Sequence, residues 1–242
     1  MKIALLGYGK MGKVIERIAL ERGHEIVLRK SSNSSFDGLE KAHVAIDFSV
    51  PSSAVCNISQ CFATNIPVIS GTTGWLEQYD TVIADCKAQD GAFIYSSNFS
   101  LGVNIFFELN DYLAKMMANL NQYKVSMEEI HHTQKLDAPS GTAISLAQGI
   151  IENSNYESWS LTNSKNNEMS DDKLSNQIII DAKRIENIPG THSVFYDSAV
   201  DQIEIKHTAH NREGFALGSV IAAEWLVHKK GVFTMKDVLN LN

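Results

Sequence analysis

The stretch Lys2–Gly12, which reads KIALLGYGKMG, places a short apolar run directly before three closely spaced glycines. The residues after it put apolar side chains on one face of a predicted helix, at Val14, Ile15, Ile18 and Ala19. In a strand, glycine turn and helix of this kind, the first glycine permits the tight turn and the second lets the backbone approach a pyrophosphate. The third allows the helix to pack closely on the strand. This order predicts a Rossmann-type dinucleotide-binding unit.

The second predicted strand, Glu25–Leu28, ends where the adenosine ribose of a dinucleotide lies in such a fold. NAD-specific proteins usually carry Asp or Glu at this point, whereas this chain has Arg29 and Lys30, followed by Ser31-Ser32-Asn33. Two cations and small polar groups suit a 2′-phosphate, so the sequence predicts NADPH as the preferred cofactor over NADH. The alternative interpretation is two solvated basic side chains at a strand end.

Three more strand-like runs follow, separated by predicted helices: Val44–Phe48, Val68–Ser70 and Ala92–Tyr95. Each ends in small polar residues, and the ligand crevice of a doubly wound sheet lies outside the carboxyl ends of its strands. We therefore expect these ends to lie beside the glycine turn. The predicted cofactor-binding residues are Gly7, Tyr8, Gly9, Lys10, Met11, Gly12, Arg29, Lys30, Phe48, Gly71, Thr72, Thr73, Ser96, Ser97, Asn98 and Phe99.

A second polar stretch, Glu129–Ala143, reads EIHHTQKLDAPSGTA and is too poor in apolar residues to be a core element. It lies between a predicted strand, Tyr123–Ile130, and a helical pattern that begins near Ala143. Ser140 or Thr142 can cap this helix. The stretch therefore predicts a site in the loop between a strand and a helix.

Gly141 lets the backbone of this loop approach a ligand closely, and the open N–H groups of the helix start favour an anion. Lys135 adds a full positive charge nearby. A carboxylate or phosphate is the expected guest. The alternative is a long polar loop before an ordinary capped helix.

The pattern changes in the second half of the chain. The predicted helix Gly102–Leu120 is rich in Phe and Met and is expected to belong to the core. Together with Tyr123–Ile130, strand-like runs without intervening helices predict a mixed or antiparallel sheet, at Gln177–Lys183, Ser193–Tyr196 and Gln202–His207. The polar span Asn153–Asn176 is too long for an ordinary loop and is expected to be a mobile or variable insertion.

The helical pattern Phe215–Val227 is expected to pack back on the first domain. The predicted fold class is therefore α/β, with a Rossmann-type doubly wound parallel sheet domain and an inserted α+β mixed-sheet substrate domain. The predicted boundaries are residues 1–102 plus 212–242 for the dinucleotide-binding domain. Residues 103–211 form the predicted substrate domain.

The chain has 242 residues, of which 44% are hydrophobic and 20% charged, as in globular proteins with a substantial core. Its net charge is −7 and no basic run occurs, which argues against nucleic acid or an anionic membrane as a partner. No apolar run approaches the length of a membrane span, and no signal peptide is expected. Cys56, Cys61 and Cys86 lack metal-ligand spacing, so buried free thiols in a cytoplasmic protein without a metal site are expected.

One protein family shares these features in order and spacing. The signature of 4-hydroxy-tetrahydrodipicolinate reductase, formerly called dihydrodipicolinate reductase, resembles the central motif Glu129-x-His131-x-x-x-Lys135-x-Asp137-x-Pro139-Ser140-Gly141-Thr142-Ala143. Besides the glycine turn, the similarity extends to Asp47-Phe48-Ser49, Gly71-Thr72-Thr73-Gly74, Asn98-Phe99-Ser100-x-Gly102-Val103-Asn104, Gly190-x-His192 and Ile205-x-His207. It covers nearly the whole chain.

The resemblance implies NAD(P)H and a homotetramer built through the sheets of the inserted domain. It also implies reduction of 4-hydroxy-tetrahydrodipicolinate, a small dicarboxylate, to tetrahydrodipicolinate in the diaminopimelate route to lysine. By position, His131 and Lys135 match the family's acid–base pair. The expected substrate-binding residues are His132, Ser140, Gly141 and Thr142.

The implied reaction adds hydride at C4 and a proton at C3, so it needs an acid opposite the hydride donor and cations for two carboxylates. Neighbouring His131 and His132 would point to opposite faces of a regular strand. One of them must therefore leave strand geometry if both serve one site. The sequence leaves open which of His131 and Lys135 delivers the proton.

Two departures from the family pattern bear on the cofactor. Many members have a glycine turn one residue longer than Gly7–Gly12, and many carry an acidic residue where this chain has Arg29 and Lys30. The cations favour NADPH. Two other functions remain open: another two-domain nicotinamide dehydrogenase, such as an amino-acid dehydrogenase, and a dinucleotide-sensing regulator, for which the sequence offers no basic recognition helix.

Overall fold

A computed structural model describes residues 1–31, 34–162, 176–211 and 213–241. Ser32 and Asn33 of the predicted 2′-phosphate cluster lie outside these residues, as do 163–175 of the predicted insertion and the predicted domain boundary at Arg212. The chain divides into two compact units. The first unit comprises Met1–Asn104 and Glu213–Asn242, and the second unit comprises Ile105–Arg212.

In chain order, the described residues form β1 (Lys2–Leu6), α1 (Lys10–Glu21), β2 (Glu25–Lys30), β3 (Val44–Asp47), α2 (Pro51–Ala63), β4 (Val68–Ser70), α3 (Tyr79–Ala88), β5 (Ala92–Tyr95), α4 (Leu101–Met117), β6 (Lys124–His131), α5 (Gly141–Glu152), β7 (Ser158–Leu161), β8 (Gln177–Arg184), β9 (Gly190–Asp197), β10 (Gln202–Ala209), α6 (Glu213–Leu226), β11 (Gly231–Phe233) and α7 (Met235–Leu239). None of these helices is long and apolar enough to span a membrane.

The first unit is built on a six-stranded parallel sheet with the order β11-β5-β4-β3-β1-β2. The chain leaves β1 toward β2 on one side and returns to β3 on the other, so the strand order reverses between β1 and β3. Apolar strands bury both faces of the sheet, as parallel sheets require. The reversal places the ligand crevice beyond the carboxyl ends of β1 and β3.

The late helix α6 returns to the first unit, as its pattern predicts. Ala216, Val220, Ala223 and Leu226 are fully buried in the core that also contains residues of α1, β1 and β3. These four residues recur every three or four positions, so they lie on one face of the helix. This packing makes the first unit discontinuous in sequence.

The second unit is built on a five-stranded mixed sheet with the order β10-β9-β6-β8-β7. β6 pairs in parallel with β8 and antiparallel with β9, which in turn pairs antiparallel with β10. Alternate residues of β6 are buried, because α4 and α5 cover one face of the sheet. Together the two sheets confirm the predicted α/β fold with a mixed-sheet domain.

Three details differ from the sequence prediction. Ser158–Leu161, inside the predicted polar insertion, forms β7, because its backbone pairs in parallel with the buried strand β8. The short C-terminal elements β11 and α7 were not predicted, since a three-residue edge strand carries little periodicity. Cys61 and Cys86 are buried, but Cys56 is exposed because it lies on the outer side of α2.

Candidate active site

The crevice of the first unit contains a cavity of about 290 Å³ at the carboxyl ends of β1 and β3. Its lining comprises Gly7, Tyr8, Gly9, Lys30, Ser31, Phe48, Ser49, Val50, Ser53 and Asn57. The prediction from the sequence included Gly7, Tyr8, Gly9, Lys30 and Phe48 among these. The volume of the cavity is close to that of small-molecule binding sites.

The three glycines of the turn differ in what surrounds them. Gly7 has φ +100°, and a Cβ on it would lie 2.1 Å from the carbonyl oxygen of Phe48. A Cβ on Gly12 would lie 2.5 Å from the carbonyl oxygen of Gly7, whereas a Cβ on Gly9 would meet nothing within 4 Å. Gly7 and Gly12 therefore serve the fold, and Gly9 leaves open space for a ligand at the start of α1.

Asp47 holds the two loops behind the cavity together. Its buried carboxylate accepts hydrogen bonds from Asn57 Nδ2 at 2.9 Å, Ser70 Oγ at 2.8 Å and Thr72 Oγ1 at 2.8 Å. Burial raises the pKa of this carboxyl, and these hydrogen bonds oppose the rise. Thr72 also accepts the N–H of Ser49 at 2.8 Å. The Thr72 hydroxyl therefore supports the loops that line the cavity.

Phe48 is fixed from behind by two predicted cofactor residues. A Cβ on Gly71 would lie 2.3 Å from the Phe48 ring, so only glycine leaves room for it. The ring of Phe99, which is 1% exposed, lies 5.8 Å from the Phe48 ring between centroids. These two residues shape the cavity through Phe48.

The remaining predicted cofactor residues lie around the same crevice with different exposures. Lys10, Thr73 and Ser97 are exposed, and Met11 packs against the core of the first unit. In the loop after β5, Ser96 Oγ donates to the carbonyl of Asn98 at 2.7 Å. That loop is therefore ordered by its own side chains.

The two cations at the end of β2 occupy different surroundings. The guanidinium of Arg29 is paired with Glu16 of α1, whose carboxylate also accepts the hydroxyl of Tyr8. This pairing lowers the pKa of Glu16, chiefly through the hydrogen bond from Arg29. Lys30 is buried, lines the cavity, and places its Nζ 4.7 Å from the centre of the Phe36 ring.

In the second unit, Glu129 is the buried centre of the polar cluster at the end of β6. Its Oε2 accepts the backbone N–H of Ser140 at 2.9 Å, and its Oε1 lies 3.2 Å from Arg184 of β8. Arg184 also donates to the carbonyls of Asp137 at 2.6 Å and Lys135 at 3.3 Å. One guanidinium thus fixes the loop between β6 and α5.

Two histidines flank Glu129. Nδ1 of His131 lies 3.8 Å and Nε2 of His192 lies 3.7 Å from Oε2 of Glu129, and the two imidazole rings are 5.0 Å apart. His192 is hydrogen-bonded to Ser140 Oγ at 3.0 Å. Nδ1 of His131 is buried and has no hydrogen-bond partner within the described part of the chain. This nitrogen faces the Glu129 carboxylate at a distance longer than a hydrogen bond.

The predicted substrate residues follow at the start of α5. Of the two predicted caps, Ser140 is the N-cap, and its Oγ accepts the N–H of Ala143 at 3.2 Å. Gly141 is exposed, and no atom lies within 4 Å of a Cβ on it. Thr142 is half-buried in the first turn. These residues leave the positive end of the helix dipole open.

The two histidines of the EIHH run separate as the strand ends. His131 is the last residue of β6, and His132 is the first residue beyond it. Lys135 lies on the same loop and donates both to Oδ1 of Asp137 at 2.8 Å and to Oδ2 at 2.7 Å. Its ammonium is therefore held by an exposed carboxylate of the same loop.

Charge and burial set the protonation of this cluster. Burial raises the pKa of Glu129, but hydrogen bonds from Ser140 and the nearby histidines outweigh it and leave the pKa below its usual range. Burial lowers the pKa of His131 against the opposing charge of Glu129. Burial and His131 lower the pKa of His192 to about 4. The free site therefore holds one carboxylate and two neutral imidazoles near neutral pH.

Arg184, His192 and Glu129 were not among the predicted site residues. Glu129 and His192 stood in motifs of the sequence, but Arg184 carried no local signal, because it reaches the site only through the pairing of β8 with β6. Possible ligand atoms of Glu129, His131 and His192 lie within 4.8 Å of one another, close enough to hold a metal ion. Donors from Arg184 and Ser140 already contact both carboxylate oxygens, which favours an anionic guest over a second cation.

Comparisons with known proteins agree across the whole chain. Residues 1–99 match the family model described as dihydrodipicolinate reductase, N-terminus, and residues 102–239 match the model for its C-terminus. A 4-hydroxy-tetrahydrodipicolinate reductase of Christiangramia forsetii is 56% identical over 99% of this chain and 98% of that protein. The enzyme of the same name from Thermosipho africanus is 32% identical over 99% of this chain and 98% of that protein.

A solved structure has the same fold. The dipicolinate-bound dihydrodipicolinate reductase from Paenisporosarcina sp. TG-14 superposes with a TM-score of 0.73 at 21% sequence identity, covering 97% of each chain.

Proposed function

Because this chain belongs to the dihydrodipicolinate reductase family, we propose that its first unit holds the nicotinamide cofactor and its second unit holds and protonates the substrate. The activity is the NAD(P)H-dependent reduction of 4-hydroxy-tetrahydrodipicolinate in lysine and diaminopimelate biosynthesis. The substrate is a small dicarboxylate. The domain roles, the residues of both sites and the cofactor preference are parts of the proposal.

The cofactor site of the proposal is the cavity beside Gly7–Gly12. Open space at Gly9 and the start of α1 suits a pyrophosphate, because backbone N–H groups and the helix dipole favour an anion there. Lys30 supports a preference for NADPH, since it is one of the residues that line the cavity and it carries a positive charge. Arg29 contributes to this preference only if its guanidinium breaks the ion pair with Glu16.

The substrate site of the proposal is the start of α5. One substrate carboxylate binds the open N–H groups at Gly141 and Thr142, and Lys135 exchanges Asp137 for a substrate oxygen. His132 lies on the same loop and adds a donor. The ligand must be an anion because both the start of α5 and the ammonium of Lys135 offer positive charge.

The proton for C3 comes from Lys135 or His131 in this proposal. The lowered pKa of His131 leaves its ring neutral in the free protein, which makes Lys135 the better-supported acid before substrate binds. A bound dicarboxylate raises the pKa of His131, because nearby negative charge favours the imidazolium. The two residues therefore compete for one role, and their variants separate them.

The observation that carries the proposal is the junction at Ser140. Its N–H binds Glu129 and its hydroxyl contacts His192, so the open start of α5 is fixed beside the unpartnered nitrogen of His131. The anion site at the start of α5 and the titratable ring of His131 therefore belong to one cluster. No simple capped loop needs this arrangement.

The test is NADPH oxidation on adding the product of the preceding pathway enzyme, made in situ. Rapid oxidation that depends on this product supports the proposal. Turnover of amino or hydroxy acids instead would assign the protein to another dehydrogenase class, and DNA binding without turnover would favour a regulator.

The assembly and the location complete the proposal. The exposed side chains of β10 support a homotetramer that forms through the sheets of the second unit, and sedimentation would test it. A cytoplasmic location is expected for a biosynthetic enzyme with free cysteines, and cell fractionation would test it.

A further inference from the structure

The second unit contains a cavity of about 260 Å³ that its own side chains leave unfilled. We name it the Tyr196 cavity, after the most buried aromatic residue of its wall. The wall is built from the end of α4, the turn that leads to β6, the start of β6, the segment after α5 and strand β9. The lining comprises Ala114, Met117, Ala118, Leu120, Asn121, Tyr123, Lys124, Val125, Ser154, Asn155, Tyr156, Asn176 and Tyr196.

The Tyr196 cavity is separate from the substrate cluster of the same unit. It lies at the first end of β6, whereas His131 is the last residue of that strand. The eight residues of β6 rise about 3.3 Å each, so Lys124 and His131 are about 23 Å apart. Tyr196 of β9 lies opposite Val125, near the first end. A ligand in the cavity therefore leaves the substrate cluster open.

Hydrogen bonds hold the walls of the cavity in place. Nδ2 of Asn155 donates to the carbonyl of Ala118 at 2.9 Å, which joins the segment after α5 to the end of α4. The hydroxyl of Tyr156 accepts the N–H of Val125 at 2.9 Å, which joins the same segment to β6. The cavity is therefore formed before any ligand arrives, and binding orders few side chains.

The wall contains a buried hydroxyl that the fold does not satisfy. Tyr196 is 2% exposed, and its hydroxyl has no hydrogen-bond partner within the described part of the chain. Burial, and to a smaller extent Tyr156, raises the pKa of Tyr196, so this hydroxyl keeps its proton and remains a donor. Tyr156 uses its oxygen to accept from Val125, and that bond leaves its own proton available. Two phenol groups of the wall therefore offer donors to a ligand that supplies an acceptor.

The charge of the lining restricts the class of ligand. Among the described residues, the lining has no carboxylate, and its one charged side chain is the exposed Lys124. A cation would therefore find no counter-charge, and an anion would meet only an ammonium that water already screens. Met117 and Val125 add buried apolar surface. The volume equals that of about nine waters at ~30 Å³ each, enough for one ring with a polar substituent.

We propose that the Tyr196 cavity binds a small uncharged aromatic amide. Its carbonyl oxygen accepts hydrogen bonds from Tyr196 and Tyr156, and its ring packs on the apolar part of the wall. The asparagine side chains of the lining offer acceptors to the amide nitrogen. The proposal does not depend on the reaction.

Three probes of the same size and shape test the chemistry of the site. Benzamide is uncharged, benzoate is an anion and benzamidine is a cation. Benzamide should bind with a Kd of about 1 mM, as expected for so small a ligand, and the two charged probes should bind at least about tenfold more weakly. Ligand-observed NMR over a concentration series measures the three affinities. Absence of benzamide binding, or equal binding of benzamidine, would overturn the proposal.

Variants of the wall locate the binding. Tyr196→Phe removes the unpartnered hydroxyl and keeps the ring, so it should weaken benzamide binding about fivefold, as loss of one hydrogen bond does. Ala118→Trp should fill the cavity and abolish binding. Tyr112→Phe is the matched control, because Tyr112 is 64% exposed on α4 and does not line the cavity. It should leave the affinity unchanged.

Thermal unfolding separates binding from folding. Tyr196→Phe should unfold at the same temperature as the unmodified protein or higher, because it removes a buried hydroxyl without a partner. A markedly lower unfolding temperature would show that this hydroxyl is satisfied within the fold and would overturn the proposal. Undiminished benzamide binding in both Tyr196→Phe and Ala118→Trp would do the same, because the probe would then occupy another site.

Discussion

The backbone N–H of Ser140 donates to Oε2 of Glu129 at 2.9 Å, and this contact joins the end of β6 to the start of α5. Glu129 is fully buried, and Arg184 contacts its other oxygen at 3.2 Å. Glu129 also lies directly opposite His192 in the pairing of β6 with β9. One carboxylate therefore positions the helix start, the loop and the neighbouring imidazoles.

The variant Glu129→Gln should unfold at markedly lower urea concentration. It leaves the guanidinium of Arg184 facing an amide in a buried site, and breaking a buried ion pair costs about 3 kcal/mol. Glu128→Gln is the matched control, because Glu128 pairs with the exposed Lys183 on the surface of the same sheet. That change should cost less than about 1 kcal/mol. Equal losses in the two variants would contradict a central role for Glu129.

Stability should fall as the pH drops from about 6.5 to 4, partly because of His192. Its pKa is lowered to about 4, so the unfolded chain takes up a proton over this range that the folded protein refuses. The stability is present above the unfolded pKa and is lost as the pH falls, by about 3 kcal/mol at one pKa unit per 1.36 kcal/mol. His192→Gln keeps a polar partner for Ser140 but should show a shallower loss. If the unmodified protein and His192→Gln lose stability in parallel as the pH falls, His192 does not cause the pH dependence. Stability is measured by urea unfolding at each pH.

The glycine turn should separate folding from cofactor binding. Gly9→Ala adds a methyl group to open space, so thermal stability should change little while NADPH binding weakens at the start of α1. Gly12→Ala places a Cβ 2.5 Å from the carbonyl oxygen of Gly7 and should lower the melting temperature. Calorimetric titration with NADPH and thermal unfolding give the two readouts. Normal NADPH affinity in Gly9→Ala would contradict binding of the pyrophosphate at this turn.

Local patterns in the sequence predicted the parts of the site that lie within one stretch of chain. The glycine turn, the end of a strand near Ile130 and a helix cap at Ser140 or Thr142 all follow from neighbouring residues. Arg184 could not be predicted, because it meets Glu129 only through a strand pairing that joins residues 55 positions apart. Register between distant strands depends on the packing of the whole sheet and leaves no local mark.

The same reasoning explains the surroundings of Arg29. The sequence showed a cation at the end of β2, but its partner Glu16 comes from α1, 13 residues earlier. The two meet because α1 packs beside β2 in the folded unit. Likewise, β7 is recognisable only by its pairing with β8, since its Ser-Trp-Ser-Leu sequence has too few apolar residues to predict a strand.

Cofactor preference should depend more on Lys30 than on Arg29. A charge-assisted hydrogen bond to a phosphate contributes about 1.5–3 kcal/mol, so Lys30→Ala should lower kcat/KM for NADPH by at least about tenfold and leave NADH nearly unchanged. Arg29→Ala should have a smaller effect because Glu16 already binds this guanidinium. The double variant should erase most of the preference.

Glu16→Gln provides the converse change. It releases Arg29 from its carboxylate partner and should increase the preference for NADPH over NADH, measured as the ratio of kcat/KM values. Equal or better efficiency with NADH in the unmodified protein would refute the NADPH preference altogether.

Lys135 should contribute to the chemical step as well as to binding. As proton donor, its loss in Lys135→Ala should lower kcat by at least about two orders of magnitude. NADPH affinity should stay unchanged, because the cofactor residues belong to the first unit. Removing a residue that only binds a carboxylate would mainly raise KM, since binding shared by the ground and transition states leaves kcat intact.

Lys183→Ala, which removes an exposed ammonium from the same sheet, is the control and should leave both constants near normal. His131→Ala completes the comparison, because the lowered pKa of His131 keeps its ring neutral until an anionic substrate binds. Near-normal kcat in Lys135→Ala at saturating substrate, with a collapsed kcat in His131→Ala, would move the acid role to His131.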